Sequence, residues 1–225
     1  MNVLTDFYAY AMEILPQLSQ GMVLTIQMTV VSLVLALIIG IISCMFTISN
    51  VKILNWISAF YLSIIRGTPL MVQAFMIYFG ITSVLNIRIS PFAAAITVLS
   101  LNAGAYLSEI FRSGILAVNK GQMEAGRSLG LPYGVAMRKI ILPQAIRIVI
   151  PSVVNQFIIT LKDTSILSVI GCAELMRQGN LIVARNLRGF ETFAVVAIVY
   201  YIMITIMTKI SKVIERRLAN EKGKG

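Results

Sequence analysis

One short segment of the chain comes within one residue of a nucleotide-binding motif. Residues 121–128 read GQMEAGRS, whereas the phosphate-binding loop of many ATPases follows the pattern G-x-x-x-x-G-K-[ST]. Arg127 stands where that pattern requires Lys, and Ser128 matches its last position. The pattern therefore raises the possibility that the chain binds ATP itself.

The residues around this segment do not provide what a phosphate-binding loop needs. Such a loop follows a buried strand and opens a helix, so that backbone N–H groups converge on the phosphates. Residues 111–119 instead have the pattern of an apolar helix end, and no later apolar run ends in an Asp that could hold magnesium. We expect no ATP site at residues 121–128 and no catalytic residue in the chain.

The residue composition also limits metal and nucleophile chemistry. The chain contains no His and two Cys, at positions 44 and 172. The absence of His excludes His-based catalytic arrangements and most metal sites. We expect packed, inert thiols, and no metal or other cofactor on this chain.

The composition is typical of a membrane protein. Of the 225 residues 58% are hydrophobic and 12% charged, and the mean hydropathy is +0.87, whereas a soluble domain is about 25% charged. A spanning helix needs about 20 mostly apolar residues. We therefore predict a single all-α membrane domain with five transmembrane helices, of which the fourth is the weakest: residues 21–46, 56–85, 91–111, 146–166 and 191–210.

The basic residues predict how the chain is oriented in the membrane. The net charge is +10, and with the N-terminus outside, most Lys and Arg fall in the inner segments and the C-terminal tail. Basic residues collect on the cytoplasmic side of membrane proteins. We expect the N-terminus outside, the C-terminus in the cytoplasm, and residues 119–143 in a cytoplasmic loop.

Local signals within this loop predict two short amphipathic helices. Residues 122–129 are good helix formers without Pro. Gly130 can adopt the left-handed conformation that ends a helix, and Pro132 suits the first turn of the next. Pro143 is expected to mark a further break, and Glu124 to lie near the start of the first helix, where it would interact favourably with the helix dipole.

The same loop resembles a motif of one transporter family. Glu124-Ala125-Gly126, followed by Gly130, Ile140 and Leu142-Pro143 at the family's spacing, is similar to the EAA loop of binding-protein-dependent ABC importer permeases, with Gly126 in the place of Ala. Five further stretches are similar to permeases for polar amino acids: RGTPLMVQ at 66–73, YFG at 78–80, GAYLSEIFRSGI at 104–115, ILPQAIR at 141–147 and LKDTSI at 161–166. The resemblance covers most of the chain in order and implies the type I ABC importer permease fold.

The resemblance also implies partners. In such importers the EAA loop forms a coupling helix that rests in a cleft of a separate ATPase subunit, which binds ATP and magnesium. The family further implies a second permease subunit, identical or closely related, and an extracytoplasmic binding protein that delivers an amino acid, in the bacterial inner membrane. A capped surface helix without a partner is the alternative for this loop. The residues expected to contact the ATPase are Glu124, Ala125, Gly126, Arg127, Leu129 and Gly130.

Polar residues within the predicted spans are the candidates for substrate contact. Charged side chains at membrane depth cost about 2.5–3.5 kcal/mol on insertion scales, so they usually have a function. Glu109 and Asp163 together would suit a cationic amino acid. The candidates are Thr68, Asn102, Glu109, Asn155 and Asp163.

Four of these candidates also have a structural interpretation. Glu109 could pair with Arg112 three residues later instead of binding substrate, and Asp163 is expected to pair with Arg66. Asn155 and Gln156 are expected to face the bundle interior. Asn155 could there bond either a substrate or another helix, and Asn102 has the same two alternatives.

The stretch from residue 66 to 69 interrupts the second predicted span. Pro69 removes a backbone donor and Gly67 allows close approach. Because broken helices at membrane depth usually line a cavity or are buried in protein, Thr68 is expected to face the translocation path.

Two other classes of function remain open at this point. An ion-coupled secondary transporter or a channel would need no ATPase, and a membrane scaffold would transport nothing. Co-purification of an ATPase chain would separate these classes from an ABC importer.

Overall fold

The computed structural model describes residues 3–222, with side chains described from residue 5 to residue 213. Every regular element in that part of the chain is helical. The α-helices are α1 (Val3–Thr47), α2 (Lys52–Gly67), α3 (Leu70–Phe75), α4 (Thr82–Leu85), α5 (Pro91–Leu116), α6 (Lys120–Ser128), α7 (Tyr133–Ala136), α8 (Leu142–Asp163), α9 (Leu175–Asn186) and α10 (Gly189–Lys222). A π-helical turn, Met76–Ile81, joins α3 to α4, a second, Met137–Ile141, joins α7 to α8, and a 3₁₀ helix, Thr164–Ile170, follows α8.

Within the described residues, four helical stretches are long and apolar enough to cross a membrane. They are Thr5–Thr47, Pro91–Leu116, Tyr133–Ile170 and Gly189–Val213. A fifth span results if α2 and the stretch Leu70–Leu85 count as one, although the two are bent by 107°. The interruption expected at residues 66–69 is therefore a sharp bend between two helices.

The first helix is longer than the predicted first span. It starts at Val3, whereas the hydropathy pattern placed the span at residues 21–46. Asp6, Glu13 and Gln17 lower the hydropathy of the first turns but do not interrupt the helix, because helix formation does not require every turn to be apolar.

Small residues allow α1 to pack closely along α5. A Cβ on Gly40 would lie 2.8 Å from Leu107 Cβ and 3.1 Å from the carbonyl oxygen of Gly104. Ala36 and Ala103 are buried in the same contact. Close backbone approach through small residues is a usual basis of helix pairing in membranes, and here it fixes α5 against the longest helix.

The segment between α8 and α10 contains a short helix held by a buried acid. Glu174 is completely buried and caps α9, accepting hydrogen bonds from the N–H groups of Met176 (2.8 Å) and Arg177 (2.7 Å). The hydroxyl of Tyr200 on α10 donates to the same carboxyl group at 2.9 Å, and Thr25 Oγ1 on α1 accepts from the N–H of Leu175. These bonds attach α9 to α10 and to α1.

The predicted break at Pro143 is wrong. Tyr133–Ile170 is one helical stretch, and Pro143 is the second residue of α8, directly after the π-helical turn. Proline lacks an N–H and its ring collides with the carbonyl of an ordinary preceding turn. The wider π-helical turn relieves that collision, so the helix continues.

The crossing of α5 and α8 gives a stability prediction. A Cβ on Gly114 would lie 2.0 Å from Val149 Cγ1 and 3.3 Å from the carbonyl oxygen of Ala145. We expect Gly114→Ala to destabilise the protein by roughly 1–3 kcal/mol, as overpacking does, and thermal unfolding in detergent would measure it. Gly67→Ala is the matched control, because no atom lies within 4 Å of a Cβ there. Equal unfolding temperatures for the two variants would contradict this packing.

Candidate functional site

The break between α2 and α3 is caused by the extended backbone of Thr68 and Pro69. The residue before a proline is disfavoured in the helical region, and Thr68 is extended with φ −123° and ψ 144°. Pro69 is also extended (ψ 141°) and is the residue directly before α3. The last carbonyl groups of α2 therefore lose their helical donors.

The side chain of Gln73 replaces those donors. Its Nε2 lies 2.7 Å from the carbonyl oxygen of Ile65, 3.0 Å from that of Thr68 and 3.0 Å from Thr68 Oγ1. The hydroxyl of Thr68 donates to the carbonyl of Ile64 at 2.7 Å. Gln73 is only 8% exposed, so the amide is committed to holding the bend.

The bend is also attached to α5. Asn102 Nδ2 donates to Gln73 Oε1 at 3.4 Å, and the hydroxyl of Tyr61 donates to the carbonyl oxygen of Leu101 at 2.6 Å. Sequence reasoning did not single out Gln73. Its position four residues after Pro69, in an apolar stretch, was the signal that could have identified it.

A polar pocket of about 420 Å³ lies beside this bend. It brings together three of the predicted substrate residues: Thr68 from the bend between α2 and α3, Asn102 from α5 and Asp163 from α8. Gln156 and Tyr106 contribute further polar groups. The full lining is Thr68, Pro69, Leu70, Asn102, Tyr106, Gln156, Ile159 and Asp163.

Asp163 is the one charged residue that lines this pocket. The expected pairing of Asp163 with Arg66 is wrong, since Arg66 Nη1 lies 3.4 Å from Glu109 Oε2. Within the described residues, the carboxylate of Asp163 has no hydrogen bond or ion pair of its own. It is therefore available to a ligand.

Glu109 is held by two arginines outside the pocket. Arg112 donates from Nε to Oε1 at 3.1 Å and from Nη2 to Oε2 at 3.2 Å, and Arg66 approaches from α2. The ion pair with Arg112 is thus confirmed, and Glu109 does not line the pocket that contains Asp163. Its carboxylate ties the end of α2 to α5.

Asn155 does not face the bundle interior as expected. It is exposed on α8, whereas its neighbour Gln156 is 5% exposed and lines the pocket. Adjacent helical residues point about 100° apart, so the two amides could not both face inward. The apolar sequence around them does not reveal which one does.

The predicted coupling loop is built around α6. Asn119 Oδ1 accepts from the N–H of Gly121 at 2.8 Å at the start of this helix. Gly130 follows its end with φ +82°, as expected, and the N–H of Leu131 donates to the carbonyl of Gly126 at 3.2 Å. Arg127 Nη1 also donates to the carbonyl of Leu131 at 3.0 Å, which rigidifies the turn.

Two details of this loop differ from the sequence interpretation. Glu124 is the fifth residue of α6, beyond the first turn where the helix dipole acts. Gly126 is buried, and a Cβ there would lie 2.8 Å from Ile140 Cδ1 and 3.4 Å from Ala136 Cβ. Gly126 therefore allows α6 to pack closely on Ala136 and Ile140. It faces these residues of the same chain and does not belong to the exposed surface.

The remaining predicted contact residues form an exposed surface. Glu124, Ala125, Arg127 and Gly130 are exposed, and Leu129 is 82% exposed. Tyr133 at the start of α7 is 59% exposed. A rigid turn that presents a leucine and a tyrosine outward is suited to docking in an apolar cleft.

Comparison with known proteins gives the family. The family model described as "Binding-protein-dependent transport system inner membrane component" matches residues 36–220. The chain belongs to this family. It is a membrane permease subunit of the ABC transporter class, located in the inner membrane, and it is not an enzyme.

Individual relatives narrow the class to amino acid transport. This inner membrane component is 40% identical over 213 residues to the arginine transport system permease protein ArtQ of Bacillus subtilis (strain 168), covering 95% of this chain and 97% of that one. It is also 40% identical over 205 residues to the glutamine transport system permease protein GlnP of Escherichia coli (strain K12), covering 91% and 94%.

A solved structure supports the fold. A chain from a crystal structure of an amino acid ABC transporter with histidines superimposes with a TM-score of 0.90 at 36% identity, covering 96% of this chain and 100% of that one. The resemblance to amino acid permeases is therefore confirmed.

The role of Gln73 can be tested through stability. Gln73→Met keeps the side-chain length but leaves the carbonyls of Ile65 and Thr68 without their donor, so we expect a loss of about 1–3 kcal/mol. Thermal unfolding would measure it, with Gln122→Met as the control, since Gln122 is exposed and makes only a 3.4 Å contact with Gln144. An unchanged unfolding temperature for Gln73→Met would show that the bend does not need this amide.

Proposed function

We propose that this permease subunit forms one half of the translocation path of an ATP-driven importer for a polar amino acid, with a cationic side chain as the preferred class. A second permease subunit supplies the other half, and an extracytoplasmic binding protein delivers the substrate. The observation that carries this proposal is the pocket beside the bend, with Asp163 as its one charged and unpaired group.

The position of the pocket supports a place on the translocation path. It lies at a break between two helical segments of a spanning pair, and irregular backbone at membrane depth is tolerated where it lines a cavity. The hydroxyl of Thr68 and the amides of Asn102 and Gln156 can bind the polar main-chain groups of an amino acid. Asp163 can bind its positive charge.

The exposure of the pocket supports a permease dimer. Tyr106 and Ile159 line it but are 40% and 39% exposed, so one chain does not enclose it. Asn155 lies four residues before Ile159 and is exposed on the same spanning helix. A bare amide facing hydrocarbon is unfavourable, and a second permease subunit would cover it.

The coupling surface supports separate ATPase subunits. The turn after α6 presents Leu129 and Tyr133, with Glu124 and Arg127 as flanking charges. ATP and magnesium belong to the partner in this proposal, and this chain binds no cofactor. The proposed orientation places the N-terminus outside and this loop in the cytoplasm.

Two variants test the coupling surface. Leu129→Asp places a charge in the docking contact, and Glu124→Lys reverses the charge beside it. We expect each to lower ATP-driven uptake in proteoliposomes by about tenfold or more, as the loss of a buried anchor does, while the permease still folds. Arg88→Glu, exposed in the segment between α4 and α5, is the control. Wild-type coupling of hydrolysis to uptake in both variants would remove the loop from this role.

A paired substitution tests the substrate site. We expect Asp163→Asn to reduce uptake of arginine or lysine by about tenfold or more, because an unpaired charge would remain on the substrate, with less effect on glutamine. Glu109→Gln should instead lower the unfolding temperature, because Arg66 and Arg112 lose their shared partner. Radiolabelled uptake with a panel of amino acids measures the first effect. Unchanged uptake of every basic amino acid in Asp163→Asn would refute the cationic preference, and uptake without any ATPase would refute the importer.

A further inference from the structure

An apolar groove lies on the outside of the helical bundle, away from the polar pocket. It has a volume of about 680 Å³ and runs between α1, α8 and α10. Its floor consists of side chains that are almost fully buried, including Leu18, Leu33 and Leu161. Its rim is half exposed, with Val34 at 54% and Ile206 at 54%, so the groove opens to the surroundings.

The lining of the groove has no hydroxyl group that is free to bind a polar ligand. Ser19 and Thr29 are the two residues of its lining that carry hydroxyl groups. Both hydroxyls donate to backbone carbonyls of their own helix, Ser19 to Pro16 at 2.7 Å and Thr29 to Thr25 at 2.8 Å. All three helices that form the groove belong to candidate membrane spans, so its natural contents are hydrocarbon chains.

Helical periodicity places two basic residues, Lys209 on α10 and Arg147 on α8, on or near the helix faces that line the groove. Lys209 follows the lining residue Ile206 by three positions and Ile202 by seven, which places it on the same face of α10. Arg147 precedes Leu161 by fourteen positions, close to four helical turns, and so lies near the same face of α8. Both are exposed, and neither forms a salt bridge with a described residue.

The described side chains of the three helix segments that form this end of the groove include no acidic residue. Residues 36–47 of α1 contain no Asp or Glu, and neither do residues 142–162 of α8 or 192–213 of α10. The end of the groove that points toward Lys209 and Arg147 is therefore electropositive, whereas the groove itself is neutral and apolar.

We propose that this groove binds an acyl chain of an anionic phospholipid, whose phosphate is held by Arg147 and Lys209. Hydrocarbon gains little by moving from a bilayer into an equally apolar groove, so the acyl chain alone would not select a lipid. The selection comes from the headgroup, and each basic residue near an anionic lipid strengthens binding by about fivefold. This lipid site is independent of the substrate pocket and of the proposed transport function.

The test uses the purified permease with the partners it carries, in nanodiscs of defined composition. The probes are phosphatidylglycerol and phosphatidylcholine with identical acyl chains, and native mass spectrometry counts the lipid retained. We expect phosphatidylglycerol to be retained preferentially, and the double variant R147Q/K209Q to bind it about 25-fold more weakly. The double variant R138Q/K139Q is the charge-matched control, because both residues are exposed in the π-helical turn that precedes α8 and lie farther along the chain from the groove than Arg147.

A second pair of variants tests the groove itself. Val34→Trp fills the groove from its rim and should abolish retention, whereas Ile38→Trp, at a site equally exposed but outside the lining, should leave it unchanged. Equal retention of the two lipids, or equal losses in the two double variants, would overturn the proposal. Efficient disulfide cross-linking between two copies of a Val34→Cys variant would also overturn it, because a second chain would then occupy the groove.

Discussion

The need to pair every backbone group inside a membrane constrains this structure at one place above all. An unpaired carbonyl in hydrocarbon costs several kcal/mol, and Pro69 leaves the end of α2 without its helical donors. The amide of Gln73 meets that need with one side chain that reaches Ile65 and Thr68. The bend of 107° is stable because the broken ladder is completed from within the same chain.

The polar pocket depends on the same side chain of Gln73. The bend turns Thr68 toward α5, and the oxygen of Gln73 that is not used on the backbone side is the acceptor for Asn102. One amide therefore both closes the break and orients a polar wall of the cavity. Of the charges nearby, Arg66 and Arg112 share Glu109. Asp163 has the charge of the neighbouring Lys162 acting on it but forms no ion pair among the described residues.

Sequence patterns predicted the features that depend on local chemistry. Hydropathy identified the apolar segments, Pro69 identified the interruption, and Gly130 identified the left-handed turn, since each follows from the residue itself. The sequence does not predict in the same way which face of a helix a residue lies on, or which residue of another helix it contacts. Asn155 and Gln156 differ only in register, and the partner of Arg66 depends on how α2 approaches α5. The continuous helix through Pro143 depends on a π-helical turn for which the sequence contains no simple signal.

The helix that passes through Pro143 has a further consequence for how the proposed function would operate. Tyr133 at its start belongs to the exposed docking surface, and Asp163, thirty residues later, lines the pocket, so one helical stretch of about 45 Å joins the two. A break at Pro143 would have separated them with a hinge. Because Gly126 lets α6 pack directly against Ile140 and Ala136, a displacement of α6 acts on that stretch without an intervening loop. Under the proposed function, a displacement of α6 by the ATPase would act on this helical stretch, which contains Pro151, and so on the one charged residue that lines the pocket.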